Sequence, residues 1–352
     1  MKPLPVDDLE HVLRHTRQLW AEAQGQTFFI TGGTGFFGMW LLESFAHAND
    51  ALNLGMRALV LTRDPVVFTC KAPHLTSRAD LEFIAGDVRN FAFPPARFTH
   101  VIHAATDTRS PPPGSDPKQI RDDIVAGTRR VLEFARHTGA KKFLYVSSGA
   151  VYGPQPADLT HVPEDYFGPT GPLTLGSAYG AGKRLSEELC GKFAAASDLQ
   201  CKIARCFAFV GPHLPLDAHF AVGNFIRDAL AGGPIKVNGD GTPMRSYLYA
   251  ADLAIWLWTI LFLGQSGRAY NVGSDAAEQI SAHAYLVNNL ADGKASVLLA
   301  QPTDPNKPAS RYVPAIDLAR NELDLDVWIQ EEDGIRRTLA WHGLNRGAFS
   351  SQ

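Results

Sequence analysis

Short apolar runs closed by small or polar residues recur along the chain, and apolar positions at helical spacing separate them. The first run, Phe28 to Ile30, ends in Thr31 and in glycines at 32, 33, 35 and 38, after which apolar residues resume at Met39 to Leu42. This pattern reads as a buried strand, a tight turn and a helix over about 38–48. Arg57 to Thr62, Glu82 to Ala85, Thr99 to Ala105, Lys142 to Ser148 and Lys202 to Val210 read as further strands. Helices are expected over about 118–138, where Ile120, Ile124, Val131, Leu132 and Phe134 recur, and from Ser177 to Ala195. Strands alternating with helices imply an α/β fold built on a parallel, doubly wound sheet with right-handed crossovers.

Ahead of the first strand, Leu9, Val12, Leu13 and Trp20 fall at roughly helical spacing. They predict an N-terminal helix laid on the outside of the core. Ser110 to Pro117 and Pro154 to Pro172 are rich in Pro and Gly; they read as loops, the second lying over the site. After Gly211-Pro212 the pattern loses its regularity, as a smaller lobe of mixed α/β structure would. The expected organisation is a helical extension over 1–24, a dinucleotide-binding domain over 25–207 and a mainly substrate-binding lobe over 208–352, with about 245–274 returning to the first domain.

Composition narrows the class without naming a chemistry. The 352 residues are 45% apolar and 20% charged, which suits a soluble protein with a large core. A formal net charge of −3 gives no reason to expect nucleic acid or an anionic membrane as partner. The first segment lacks the apolar stretch of a signal peptide, and Leu253 to Leu263 is too short to span a bilayer. The four cysteines lack zinc or disulfide-framework spacing, so reduced thiols in a cytoplasmic protein are expected. His213 and His219 have no evident metal-ligand partner, and no metal site is expected.

The chemistry is carried by an ordered set of residues. A strand, a glycine turn and a helix start present backbone N–H groups and the positive end of a helix dipole, which suits a pyrophosphate. Gly32 permits the turn, Gly35 admits the phosphate and Gly38 lets helix and strand pack closely. Tyr179 and Lys183 lie four apart on one helix face. An ammonium one turn away, with a cationic nicotinamide ring, would lower the phenol from its ordinary pKa near ~10 toward the range of a general acid/base. Ser148 ends a strand at the edge where open α/β sheets bind ligands, and its hydroxyl can hold a substrate oxygen.

Together T-G-G-T-G-F-F-G at 31–38, G-D-V at 86–88, H-A-A at 103–105, S-S-G-A-V-Y-G at 147–153 and Y-G-A-G-K at 179–183 resemble the extended short-chain dehydrogenase/reductases. The branch they resemble is the nucleotide-sugar epimerase/dehydratase family. R-C-F-A-F-V-G-P at 205–212, G-D-G-T-P-M-R-S-Y-L-Y-A-A-D-L-A at 239–254 and Y-N-V-G-S at 270–274 extend the resemblance over nearly the whole chain. It implies a Rossmann-type domain for NAD(H) or NADP(H) and a smaller lobe for a nucleoside-diphosphate sugar. Phe36 and Phe37 would join the glycines at the cofactor, Asp87 and Val88 would meet its adenine, and His103, Ala104 and Ala105 would line its phosphates and ribose. Tyr179 would be the general acid/base, with Lys183 on the nicotinamide ribose and Ser148 and Gly149 at the substrate. Arg245 would face the substrate diphosphate, which its fork of donors suits. Helices at about 118–138 and 177–197 form the dimer face in that family.

The departures matter as much. Many family dehydratases carry acids directly after the Ser or Thr; here Gly149 and Ala150 stand there, which disfavours a 4,6-dehydratase unless Glu164 or Asp165 serves. Ala208 replaces a usual Asn, for which Asn224 is a candidate substitute, and Ile124 replaces another beside Asp123. After the second strand Thr62 and Arg63 stand where NAD-preferring members place Asp, so the lean is to NADP, with Asp64 keeping NAD open. The expected activity is hydride transfer at a ring carbon, C4, of a nucleotide sugar. A 4-keto reductase is preferred over a 4-epimerase with retained NAD. A non-catalytic dinucleotide-binding regulator is the reading from a different class.

Overall fold

The computed structural model describes residues 1–107, 112, 114–169, 171–218, 220–304 and 308–343. His219 and part of the expected loop 110–117 lie outside them. The elements that position the site are, in chain order, α1 (Val6–Thr16), β1 (Thr27–Thr31), α2 (Phe36–Leu52), β2 (Arg57–Thr62), β3 (Leu81–Ala85), β4 (His100–His103), α3 (Pro117–Thr138), β5 (Lys142–Ser148), α4 (Leu175–Ala196), β6 (Gln200–Cys206), α5 (Ala221–Leu230), α6 (Ala250–Leu263), β7 (Ala269–Val272), α7 (Ile280–Leu290) and α8 (Glu331–Trp341).

β1 to β7 form one sheet in the order β7-β6-β5-β4-β1-β2-β3, and every pairing is parallel. This is the doubly wound Rossmann-type architecture expected from the alternation of strands and helices. The chain reverses its direction of travel between β1 and β4, which opens a crevice beyond the carboxyl ends of those two strands. Ile30 sits in register with Val60 on one side and Ile102 on the other, all three buried.

Local chemistry marks the helix ends. Asp116 caps α3, its carboxylate accepting from the Lys118 N–H at 2.9 Å, and Gly139 closes the helix in the left-handed region. Thr174 and Ser177 form a reciprocal capping box at the start of α4.

Two segments differ from the sequence expectation. The sixth strand ends at Cys206 rather than running to Val210; Phe209–Val210 leaves the sheet and pairs with Leu248–Tyr249 instead. The N-terminal helix does not lie outside the core. α1 gives way to a 3-10 turn over Arg17–Ala23, and Trp20 is fully buried with its ring 4.7 Å from that of Trp258 and 5.5 Å from that of Phe262. The apolar run at 253–263 is the reason: as α6 it is buried along nearly its whole length and packs against α1, α2 and the sheet, so it needs apolar cover on every side. Among the described residues no helix is long and apolar enough to cross a membrane.

Beyond β6 the smaller structure gathers around α5 and α7. Ile235–Val237 pairs with Val297–Leu299, and a three-stranded sheet joins Glu278–Gln279, Met244–Arg245 and Arg311–Tyr312. In that sheet Tyr312 lies in register with Arg245.

Candidate active site

The turn after β1 interlocks with its surroundings. Gly32 has φ +77°, and a Cβ there would lie 2.5 Å from the Ala104 carbonyl carbon. A Cβ on Gly38 would lie 2.3 Å from the Gly32 carbonyl oxygen, so helix and turn could not close. Gly35 is different: its backbone is extended and a Cβ would meet only the Gly32 oxygen, at 3.5 Å. Space is open there, above a helix start that no side chain caps. The N–H groups of Phe36, Phe37 and Gly38 in the first turn have no intrahelical partner. Phe37 leans edge-on against the buried Phe209 at 5.1 Å, and Phe36 and Phe37 are themselves half-buried. An open cradle of unpaired amides at the positive end of a helix fits a dinucleotide pyrophosphate.

Beside it, the ends of β2 and β3 gather charge. Asp87 accepts from the Arg89 guanidinium at 2.8 and 2.9 Å, and that partner holds its carboxyl at about 2, with Arg63 contributing at longer range. Arg89 also pairs with Asp123 at 3.0 Å, so one arginine ties two acids together. Thr62 is buried at the end of β2, and Arg63 has no ion pair among the described residues. Val88 packs toward Gly127 of α3.

His103 faces inward. Its ring nitrogens meet the hydroxyls of Thr31 at 2.8 Å and Thr128 at 3.2 Å, and burial lowers it to about 3, which keeps it neutral. Its side chain ties β1, β4 and α3 together, and only its backbone borders the crevice beside Ala104 and Ala105. The resemblance implies that His103 lines the cofactor together with Ala104 and Ala105; its ring is hydrogen-bonded within the core.

Ser148, Tyr179 and Lys183 converge at the carboxyl end of β5. Gly180 brings them together, since its missing side chain lets α4 approach the Ala150 carbonyl; a Cβ there would lie 2.3 Å from that oxygen. The Ser148 hydroxyl accepts from the Ala150 N–H at 3.2 Å. The Lys183 ammonium lies 5.8 Å from the Tyr179 ring centroid and 4.8 Å from that of Tyr145. It donates to the Val146 carbonyl at 2.7 Å and to the Thr106 hydroxyl at 2.8 Å. Burial lowers Lys183 to about 8 and pushes the Tyr179 phenol above its ordinary value, and the nearby Ser148 hydroxyl opposes that rise.

A buried ion pair stiffens the floor. Arg205 on β6 donates to both Glu187 oxygens, at 2.8 to 3.1 Å, and to the Tyr152 hydroxyl at 2.8 Å, while Ser147 donates to Glu187. Glu164, a possible replacement acid from the sequence, is drawn into this network: its carboxylate accepts from the Asn271 N–H at 2.8 Å.

Gly149 explains why no acid follows Ser148. A Cβ at that position would lie 2.8 Å from the Phe207 ring and 2.8 Å from the Tyr312 hydroxyl. The Phe207 and Tyr312 rings meet at a tilt, their centroids 4.7 Å apart, so two aromatic residues from distant segments fill the place of a side chain at 149. Neither they nor Thr106 and Arg89 stood out in the sequence. The one available signal was Gly149 itself, a missing side chain whose space something had to fill. Arg245 lies over Tyr312, its guanidinium carbon 5.9 Å from the ring centroid; it donates to the Met244 carbonyl at 2.7 Å and has no carboxylate partner among the described residues. Asn224 accepts from Arg227 at 3.1 Å along α5, a local use of its side chain. The His213 ring packs against Trp341, and no cluster of metal-ligating residues occurs among the described residues.

The profile of the NAD dependent epimerase/dehydratase family matches residues 28–273. The chain belongs to that family. Within the family, UDP-glucuronic acid decarboxylase 1 of Arabidopsis thaliana is 27% identical over 312 residues, 88% of this chain and 68% of that protein. An epimerase of Methanothermobacter thermautotrophicus superposes with a TM-score of 0.76 at 23% identity, covering 94% of this chain and 95% of that one. A UDP-glucose 4-epimerase of Thermotoga maritima, solved with UDP-glucose, superposes with a TM-score of 0.75 at 19% identity, covering 90% and 98%. Membership places this chain among the NAD-dependent epimerase and dehydratase enzymes.

Proposed function

We propose that this chain carries out oxidoreduction at a ring carbon, C4, of a nucleoside-diphosphate sugar, with 4-keto reduction as the net outcome. The observation that carries the reading is the convergence of Ser148, Tyr179 and Lys183 beside the open glycine cradle, with Phe207 and Tyr312 seated where an acid would follow Ser148. The cradle, Thr62, Ala104, Ala105 and Lys183 would hold the dinucleotide, whose nicotinamide supplies or accepts a hydride when bound. Ser148 hydrogen-bonds the reacting sugar oxygen. Tyr179 gives that oxygen a proton, or takes one from it, and the nearby Lys183 ammonium steadies the phenolate. Arg245, lacking a carboxylate partner among the described residues, is available to the substrate diphosphate. Arg63, without an ion pair among the described residues, favours a 2′-phosphate and hence NADP.

Dehydration and decarboxylation lose their support where the aromatic pair leaves no carboxylate beside Ser148. The family's NAD dependence favours a second reading, a 4-epimerase that retains its cofactor. The adjoining helices α3 and α4 are the proposed face of a homodimer, to be checked by sedimentation. The functional test is turnover against UDP-glucose, UDP-glucuronic acid and dTDP-glucose with NAD+ or NADP+, followed at 340 nm and by chromatography of the sugar nucleotides. Tyr179→Phe should abolish most turnover while leaving cofactor affinity nearly intact. Undiminished turnover refutes the assignment of Tyr179, and a non-exchanging nicotinamide in the purified protein decides for the epimerase.

A further inference from the structure

The Lys183 side chain is buried, and among the described residues no carboxylate pairs with its ammonium. The charge rests on two neutral acceptors, the Val146 carbonyl at 2.7 Å and the Thr106 hydroxyl at 2.8 Å. An ammonium has three N–H donors, so one is left for a ligand. A buried charge without a counter-ion depends on each acceptor it has.

The groups around it supply no substitute. Glu187, one turn further along α4, is taken by Arg205 and Ser147. Burial pushes the Cys190 and Cys206 thiols up, so both keep their protons. His103 on β4 is neutral, and Tyr145 and Tyr179 offer the ammonium their rings.

Thr106 is fixed as an acceptor. Its hydroxyl donates to the Ala105 carbonyl at 2.7 Å, which leaves a lone pair for Lys183. The backbone before it is held to the end of β1. The Ala104 N–H donates to the Thr31 carbonyl at 3.1 Å, and the Ala105 N–H to the Thr31 hydroxyl at 3.2 Å. Ala104 is also the residue against which the turn closes at Gly32. The Thr106 hydroxyl therefore joins α4 to the glycine cradle.

We propose that Thr106 is a positioning residue whose hydroxyl holds the Lys183 ammonium charged and in place beside Tyr179 before a cofactor arrives. The inference rests on the oxidoreductase reading of the same site and adds to it a residue from the segment after β4. Burial already lowers Lys183 to about 8, and a fall of one further unit leaves about half of it neutral at pH 7. The ammonium that steadies a Tyr179 phenolate must be charged, so the acceptor at 106 matters to the chemistry.

The test is the Lys183 13Cε resonance in protein labelled with [13Cε]lysine, assigned through Lys183→Arg and titrated from pH 6 to 10 without cofactor. Thr106→Val keeps the volume and removes the hydroxyl. Its Lys183 midpoint should fall by about one unit, the scale of one lost hydrogen bond to a charged group. Thr106→Ser keeps the hydroxyl and should titrate as the wild type does. Lys202, buried at the opposite end of β6, should keep its own midpoint in both variants and so reports an intact fold. Thr106→Ala set against Thr106→Ser repeats the comparison with a smaller side chain, and the Ala variant should again have the lower midpoint. A Lys183 midpoint unmoved in Thr106→Val overturns the proposal, as does an equal fall in Thr106→Ser. If neither NAD+ nor NADP+ displaces the wild-type Lys183 resonance, the cofactor reading fails, and the titration without cofactor still decides the role of Thr106.

Discussion

Two alanine substitutions in the same helix should have opposite effects. Gly180 and Gly191 both lie in α4, and in isolation each change to Ala would favour the helix by roughly 0.8–1 kcal/mol. A Cβ on Gly191 meets nothing within 4 Å, so Gly191→Ala should realise that gain. A Cβ on Gly180 lies 2.3 Å from the Ala150 oxygen and 3.0 Å from its carbonyl carbon. Reaching an ordinary contact requires α4 to retreat by about 1 Å, against the close packing of the interior. Overpacking of that kind costs about 1–3 kcal/mol, so Gly180→Ala should lose up to about 2 kcal/mol net, despite its better propensity. Tyr179 moves with the helix, and a displacement of about 1 Å at a reacting group can cost on the order of 100-fold in rate. Urea unfolding of both variants gives the stabilities; turnover gives the second effect. Equal stabilisation by the two substitutions would refute the packing argument, since propensity alone would then govern α4.

Other outcomes follow from buried charge. Glu187→Leu leaves Arg205 without its main partner and should cost about 3–5 kcal/mol in urea unfolding, whereas Glu187→Leu with Arg205→Met should recover most of the loss. Burial lowers Lys202 to about 7 from its ordinary 10.5, so the unfolded chain binds more protons between those values and stability should rise with pH across that window. Lys202→Met should flatten that rise and stabilise most below pH 7, as thermal melts at a series of pH values will reveal. Arg63→Ser should weaken NADPH more than NADH in fluorescence titrations, and an unchanged preference would remove Arg63 from cofactor selection.

The sheet was legible because each strand is a short apolar run bounded by a turn signal, and because parallel strands buried on both faces tolerate little else. The site was legible where one segment carried the meaning, as in the glycine turn, Ser148 and the Tyr179–Lys183 helix. Tyr312 was hidden because its role depends on register: two residues of a short strand, paired to Met244–Arg245, carry no periodicity of their own. The pairing of the His103 ring with Thr31 and Thr128 was hidden too, because it joins three elements far apart in the chain. The depth of the N-terminal helix was equally invisible, since amphipathic spacing tells which face is covered and not how much lies above it.

The burial of Trp20 against α6 also has a timetable. Trp20 and its partner Trp258 lie 238 residues apart in the chain, and Trp40 and Tyr249, which also meet edge to edge, lie 209 apart. At about 5–20 residues per second of synthesis, the first tryptophan waits roughly 10–50 seconds for its covering helix to emerge. During that interval β1 to β6 can pair, but the sheet face that α6 will cover stays bare. The nascent protein therefore presents its stickiest surface for most of its time on the ribosome, and the step that ends this exposure is the arrival of a single apolar helix.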